Sequence, residues 1–199
     1  MSLRLETQRL ILRPPAPRDV PAMTEFYVSE RSQYAGGFVS RARAWGHAAA
    51  ILGHWQIRGY GLWMVTEKAD DTGLGMVGPY CPDWRPETEI GWCLFEAAEG
   101  RGIAAEAARG AIADARARLG WTEIVHYIAP ENTRSIALAE RLGAVLDIAA
   151  AQPKPDTPCL VYRQPASAGR DGPQTARGID MEISHDVDPL LQPKGYALD

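Results

Sequence analysis

A glycine-containing loop near the middle of the chain has the residue types of an anion-binding site. Gly100 and Gly102 lie between an apolar run that ends at Phe95 and a helical pattern that begins near Ile103. The first turn of a helix has free backbone N–H groups and the positive end of the helix dipole, so it attracts anions. Glycine has no Cβ atom, which lets a phosphate approach the backbone closely. The loop is therefore a candidate pyrophosphate site, although glycines before a helix are also common as plain turns.

Two familiar nucleotide-binding motifs fit this loop poorly. A Walker loop ends in Gly-Lys-Ser/Thr, whereas Gly102 is followed by Ile103 and Ala104. The Rossmann fingerprint needs a third glycine, and Ala105 occupies that place. The strands predicted before the loop are also antiparallel, which is wrong for a Rossmann fold.

The elements that must position this loop follow from hydrophobic periodicity. Three apolar or β-branched runs with short polar connections precede it and predict an antiparallel meander. After it, apolar residues recur every four positions from Ile103 to Leu119, which predicts an amphipathic helix ended by Gly120. The predicted strands are 10–13, 62–66, 73–78, 88–95, 123–129, 145–148 and 159–162, and the other predicted helices begin near Asp19, Ala42 and Asn132.

Several segments occur in an order and spacing that match a known family. They are Leu5–Arg13, Glu89–Trp92, Glu99–Ala107 and Pro130–Ser135 with Leu142-Gly143. Together they resemble the GNAT superfamily of acetyl-CoA-dependent N-acetyltransferases, and most of all the branch that acetylates ribosomal-protein N-termini. The resemblance extends from about Leu5 to Arg163.

This resemblance implies an α/β (α+β) fold with a mixed, mostly antiparallel central sheet and helices on both faces. Two central strands, 88–95 and 123–129, are expected to splay apart and admit the pantetheine arm of acetyl-CoA, the co-substrate. Its pyrophosphate would rest on the backbone of the glycine loop, and Asn132 would lie near the thioester. The expected contacts with acetyl-CoA are Cys93, Leu94, Phe95, Gly100, Arg101, Gly102, Ile103, Ala104, Ala105, Asn132 and Ser135.

The sequence departs from the family pattern at three positions. Glu99 stands where the loop usually begins with Gln or Arg, and a carboxylate beside a pyrophosphate weakens binding. The Tyr that often protonates the departing thiolate is replaced by Ala139, so we expect Ser135, one turn after Asn132, to take that role. Ala144 replaces an aromatic residue after Leu-Gly.

Acyl transfer to an amine requires the neutral amine, so a general base is useful. Glu89, on the strand just before the loop, is the expected base; the alternative is a solvated charge at the strand edge.

Trp84, in a Pro-rich loop, is a candidate substrate contact, whereas Trp45, Trp55, Trp63, Trp92 and Trp121 are expected in or beside the core. Cys93 has no His or Lys partner in the sequence, which favours direct transfer over a covalent enzyme intermediate.

The overall composition limits the partners and the location. The net charge is −4, which argues against nucleic acid as a partner. The three cysteines lack metal-ligand spacing, so no metal is expected and a reducing, cytoplasmic location fits. No signal-peptide or membrane-spanning run is visible, so no membrane partner is expected.

The sequence thus predicts a catalytic domain over 1–164 and a tail over 165–199, partly disordered or docked. The predicted function is acetyl transfer by direct attack of a primary amine, either a protein N-terminus or a small molecule. Two alternatives remain open: use of another acyl-CoA, and an acyl-CoA-binding sensor that has lost catalysis. A monomer and a homodimer are both compatible with the sequence.

Overall fold

Eight strands form one sheet in the computed structural model, which describes residues 3–166 of the chain. They pair in the order β1-β2-β3-β4-β5-β6-β8-β7, and β5–β6 is the parallel pair among otherwise antiparallel neighbours. The strands are β1 (Leu5–Glu6), β2 (Leu10–Arg13), β3 (Trp63–Glu67), β4 (Asp70–Tyr80), β5 (Glu89–Leu94), β6 (Val125–Ile128), β7 (Val145–Leu146) and β8 (Leu160–Arg163). This confirms the mixed, mostly antiparallel sheet.

In the part of the chain that the structure describes, four helices accompany the sheet: α1 (Val20–Val28), α2 (Arg41–Arg58), α3 (Ile103–Leu119) and α4 (Thr133–Arg141). Short 3-10 turns occupy Pro17–Asp19, Glu30–Ser32 and Glu96–Ala98. The predicted tail begins at residue 165, and all of it after Ala166 lies outside the described residues. The domain boundary after residue 164 therefore stays a prediction. Within residues 3–166, no helix combines the length and the apolar character needed to cross a membrane.

Side chains alternate between two apolar clusters on opposite faces of the sheet. Trp63 and Val65 of β3 pack in the cluster that contains the apolar stripe of α3. Met64, between them, packs with residues of α1 and α2 in the second cluster. Because successive side chains of a strand point to opposite faces, this division places α3 on one face and α1 with α2 on the other. The predicted helices on both faces are confirmed.

One side chain of α2 does not lie where it was predicted. We expected Trp45 in or beside the core, but its side chain is 60% exposed. The buried face of the helix contains Ala44, Ala48 and Ile51. The inward face is built around alanines, which let the helix approach α1 closely, so the large Trp45 lies outside the contact.

Candidate active site

The parallel strands β5 and β6 separate soon after they begin. Their ladder contains one residue pair, Glu89 with Val125, and the Val125 N–H group donates to the Thr88 carbonyl oxygen at 3.0 Å. One step further along, the His126 side chain takes the place of a backbone partner, with Nδ1 2.7 Å from the Ile90 carbonyl oxygen. The sheet therefore opens into a V whose closed end is at Glu89.

His126 holds this closed end as a neutral side chain. Gln164 donates from Nε2 to His126 Nε2 at 2.9 Å, so the ring proton is on Nδ1 and is donated to Ile90. Burial lowers the pKa of His126 to about 4, which keeps the ring uncharged at neutral pH. The histidine is thus a structural part of the splay, with both ring nitrogens hydrogen-bonded.

Glu89 is buried at the closed end of the V. Burial raises the pKa of its carboxyl to about 7, and the nearby Arg85 partly opposes this shift. Glu89 Oε2 lies 2.9 Å from Arg85 Nε, but neither atom has the geometry of a hydrogen bond. The alternative of a solvated strand-edge charge does not fit this burial. A buried carboxyl with a pKa near neutrality has the properties of a general base.

The Pro-rich loop before β5 carries Arg85, which packs against two aromatic side chains. The guanidinium carbon lies 4.5 Å from the ring centroid of Trp84 and 4.8 Å from that of Tyr127 on β6. Trp84 is 51% exposed, so one face of its ring contacts Arg85 while much of it reaches solvent. The Tyr127 hydroxyl is buried and has no hydrogen-bond partner among the described residues. Sequence reasoning identified Trp84 but missed Arg85 and Tyr127.

The glycine loop forms the N-terminus of α3 as the sequence indicates. Gly100 and Gly102 have φ angles of +73° and +74°, a region in which side chains are strained. The first intrahelical hydrogen bond runs from Glu106 N–H to the Gly102 carbonyl, and no side chain caps the helix. The preceding N–H groups, from Ile103 to Ala105, therefore have no partner within the helix. A Cβ atom at Gly100 would meet nothing within 4 Å, so the loop has room for a phosphate.

Both acidic residues at the loop are neutralised by arginines. Glu99 Oε1 and Oε2 receive hydrogen bonds from Arg31 at 2.5 Å and Arg134 at 3.0 Å. Glu106, in the first turn of α3, is bound at 2.7 Å by the Arg9 side chain. The hydrogen bonds and the Arg9 charge together lower the pKa of Glu106 despite the desolvation that opposes them. The unfavourable carboxylate that the sequence places at Glu99 is therefore compensated by residues far away in the chain.

Strand β5 has a free backbone donor beside the opening. The Phe95 N–H group donates to the Leu74 carbonyl oxygen of β4 at 2.9 Å, so it is already occupied. N–H groups alternate between the two sides of a strand in an antiparallel ladder, so that of Leu94 points towards the gap. Among the expected acetyl-CoA contacts Cys93, Leu94 and Phe95, Leu94 is the one whose backbone N–H group is oriented towards β6.

Helix α4 positions Ser135 on the α3 face of the opening. Asn132 is the N-cap, as predicted, and its side-chain oxygen accepts from Ser135 N–H at 3.1 Å. Trp92 of β5 donates from Nε1 to Ser135 Oγ at 3.1 Å, which leaves the hydroxyl proton available to another acceptor. Ala139, at the position of the family Tyr, is fully buried. Ser135 is thus oriented by two hydrogen bonds, and its hydroxyl can act as a proton donor.

Cys93 is unsuited to covalent catalysis. Burial raises the pKa of its thiol to about 12, so the reactive thiolate is scarce at neutral pH. Its side chain packs with the α1–α2 cluster.

Comparison with known proteins decides the family of this arrangement. A family model described as an acetyltransferase (GNAT) domain matches residues 9–145. The chain belongs to the GNAT acetyltransferase family. This GNAT protein is therefore an acyltransferase that uses acetyl-CoA. The open strand pair and the uncapped, glycine-led helix fit that donor.

Solved structures agree with the assignment. A crystal structure of an acetyltransferase from Agrobacterium tumefaciens is 38% identical, with a TM-score of 0.76, over 82% of this GNAT chain and 95% of that one. A GNAT-family acetyltransferase from Bacillus anthracis is 19% identical, with a TM-score of 0.65, over 81% and 96% of the two chains. RimL, a ribosomal-protein alpha-N-acetyltransferase solved with coenzyme A, is 18% identical, with a TM-score of 0.65, over 84% and 100%. The last two share the fold.

Proposed function

We propose that this enzyme transfers the acetyl group of acetyl-CoA directly to a primary amine, with Glu89 as the general base. The observation that carries the proposal is the buried Glu89 carboxyl at the closed end of the splayed strands, with a pKa of about 7. A base with this pKa accepts a proton at neutral pH and is regenerated readily. Acetyl-CoA supplies the activated acyl group when it is bound.

The proton balance of the reaction involves two side chains. An amide C–N bond forms as the thioester C–S bond breaks, and the nitrogen loses a proton to Glu89. The departing thiolate takes a proton from the Ser135 hydroxyl. Glu89 then releases its proton to solvent, and solvent returns a proton to Ser135. The high pKa of Cys93 supports direct transfer without an acyl-enzyme step. The N–H group of Leu94 would stabilise the negative charge that develops on the carbonyl oxygen.

The acetyl-CoA contacts are proposed on the same structural grounds. The free N–H groups of Ile103, Ala104 and Ala105, reached past Gly100 and Gly102, would bind the pyrophosphate. Arg101 contributes from the loop, although its side chain also pairs with Glu67. The proposal also includes three predictions made from the sequence. Asn132 lies near the pantetheine, the enzyme is cytoplasmic, and it is a monomer or a homodimer.

A panel of amines assayed with acetyl-CoA for release of free thiol tests this function. At least one primary amine should give an N-acetyl product, identified by mass spectrometry, at a rate well above hydrolysis. If acetyl-CoA binds but no amine is acetylated, the alternative of an acyl-CoA-binding sensor that has lost catalysis is favoured. The replacement of the family Tyr by Ala139 agrees with that alternative. Faster transfer from another acyl-CoA would correct the identity of the donor.

Exchange of Ser135 for Ala should lower kcat about tenfold and leave the KM for acetyl-CoA nearly unchanged. The effect is modest because a thiolate leaves readily near neutral pH, with a thiol pKa of about 8.5. Steady-state rates measure it, and Ser135→Thr, which keeps the hydroxyl, is the matched control. If Ala and Thr variants have equal rates, Ser135 does not supply the proton.

A further inference from the structure

The guanidinium of Arg85 packs against two aromatic rings. Its carbon lies 4.5 Å from the ring centroid of Trp84 and 4.8 Å from that of Tyr127, and the side chain is 16% exposed. The buried Nε atom makes no hydrogen bond within residues 3–166. Stacking on aromatic faces stabilises the cation without using its N–H groups, which point outward in the ring plane.

Unpartnered polar atoms are concentrated at this place. Among the described residues, six buried side-chain atoms lack a hydrogen bond, and Arg85 Nε, Glu89 Oε2 and Tyr127 Oη are three of them. Buried polar atoms are normally paired, and an unpaired one is unfavourable. Arg85 Nε and Glu89 Oε2 face each other at 2.9 Å, and the guanidinium carbon lies 4.8 Å from the Tyr127 ring centroid. Incompletely hydrogen-bonded polar groups this close together indicate a site for a polar ligand.

The charges around this spot are unevenly compensated. Two other carboxylates of the loop have their own arginines: Asp83 pairs with Arg58, and Glu87 with Arg163 at 2.7 Å. Among the described residues, Arg85 pairs with Glu89 alone, through Nε at 2.9 Å, and its two terminal nitrogens make no ion pair. An added anion would therefore be attracted to Arg85.

We propose that the acceptor is a zwitterionic amine of the α-amino-acid type, whose carboxylate binds Arg85 while its amine is presented to Glu89. This rests on the proposed function and names its substrate class. A guanidinium edge matches a carboxylate with two parallel hydrogen bonds. The amine and carboxylate of an α-amino acid are adjacent, as are Arg85 Nε and Glu89 Oε2, which are 2.9 Å apart.

Acetyl transfer to an α-amino acid has the same proton balance as transfer to any other primary amine. The α-nitrogen gains the acetyl group and loses a proton to Glu89, and the carboxylate remains unchanged on Arg85. Polyamines lack the anion, and a peptide N-terminus has a neutral amide in its place. The Arg85 edge therefore discriminates against both classes.

The test compares L-amino acids with their methyl esters, which keep the amine and side chain but remove the negative charge. Free acids should exceed their esters in kcat/KM on the order of 10- to 100-fold, the contribution of a charge-assisted pair. Esters, polyamines or peptides that react as fast as the free acids would overturn the substrate class while leaving acetyl transfer intact. If no amine at all is acetylated, both the proposed function and this substrate class are wrong.

Variants assign the preference to Arg85. Arg85→Gln should raise the KM for free acids by a similar factor more than the KM for esters, so that the preference disappears. Any effect through Glu89, whose pKa Arg85 lowers, should fall on acids and esters equally. Arg58→Gln removes a positive charge from the same rim but breaks only the Asp83 pair, and should keep the preference. A purely structural Arg85 would instead lower the rates with acids and esters equally, which would overturn the assignment.

Discussion

Exchange of Glu89 for Gln is expected to lower kcat/KM for amine acetylation about 100-fold at pH 7, while the Kd for acetyl-CoA changes little. Gln has nearly the same shape but cannot accept the proton of the attacking amine. The loop that would bind the pyrophosphate lies at the other end of β5, so donor binding should be preserved. Initial rates of thiol release and a separate binding titration measure the two effects.

The pH dependence should identify Glu89 as the titrating group. Burial raises the pKa of its carboxyl to about 7 against the opposing charge of Arg85. The base form therefore increases as the pH rises from about 6 to 8, and the parent rate should rise with it. This limb should be missing in the Gln variant, whose remaining slope belongs to the amine. The defect should shrink at high pH, where free amine is plentiful.

Two controls separate the loss of a base from a loss of structure. The carboxyl pKa is near 4.5 in the unfolded chain and about 7 in the fold. Stability should therefore fall as the pH rises through that interval, by on the order of 3 kcal/mol. Gln avoids burying this charge, so the variant should melt no lower than the parent at pH 8. Glu87→Gln, which removes a nearby carboxylate paired with Arg163, should keep the activity. Parent-like rates for Glu89→Gln at every pH would rule out Glu89 as the base.

The elements of the fold were predictable because their signals are local. The stripe from Ile103 to Leu119 repeats every four residues and ends at Gly120, so both ends of α3 agree with the structure. The meander is equally local, since short turns join consecutive strands. The placement of Trp45 was wrong because hydrophobicity favours burial of its large ring, whereas close packing of α2 against α1 selects small residues such as Ala44 and Ala48.

The candidate site was predictable only in part. Glu89, Ser135 and the glycine loop occupy motif positions, so the family resemblance indicated them. The environment of Glu89 depends on Arg85 and Tyr127, which approach it through the folding of a loop and the pairing of β5 with β6. The compensation of Glu99 needs Arg31, 68 positions away in sequence. Such contacts have no local pattern, although the four-residue spacing of Arg85 and Glu89 was a visible hint.

Exchange of Gly102 for Ala is expected to remove about half or more of the stabilisation that acetyl-CoA gives to the enzyme. In the parent, a hundredfold excess over Kd should stabilise the fold by about 2.7 kcal/mol, seen as a higher melting temperature. The new Cβ would lie 3.7 Å from Arg9 Nη2, an ordinary contact, so the methyl group itself fits the folded protein. It would instead occupy the approach to the N–H groups of Ile103 and Ala104, where the phosphate should bind.

Backbone strain needs a matched control, which the other end of the same helix provides. Gly102 has a φ of +74° and Gly120 a φ of +68°, and a Cβ at Gly120 meets nothing within 4 Å. Each exchange to Ala should therefore destabilise the unliganded protein similarly, by about 1 kcal/mol. Only Gly102→Ala should also reduce the melting shift with acetyl-CoA and raise its Kd, at least tenfold if one phosphate contact is lost. Equal, parent-like shifts in both variants would mean that the donor binds without the Gly100–Ala105 backbone, whereas a shift lost in both would indicate a general loss of structure.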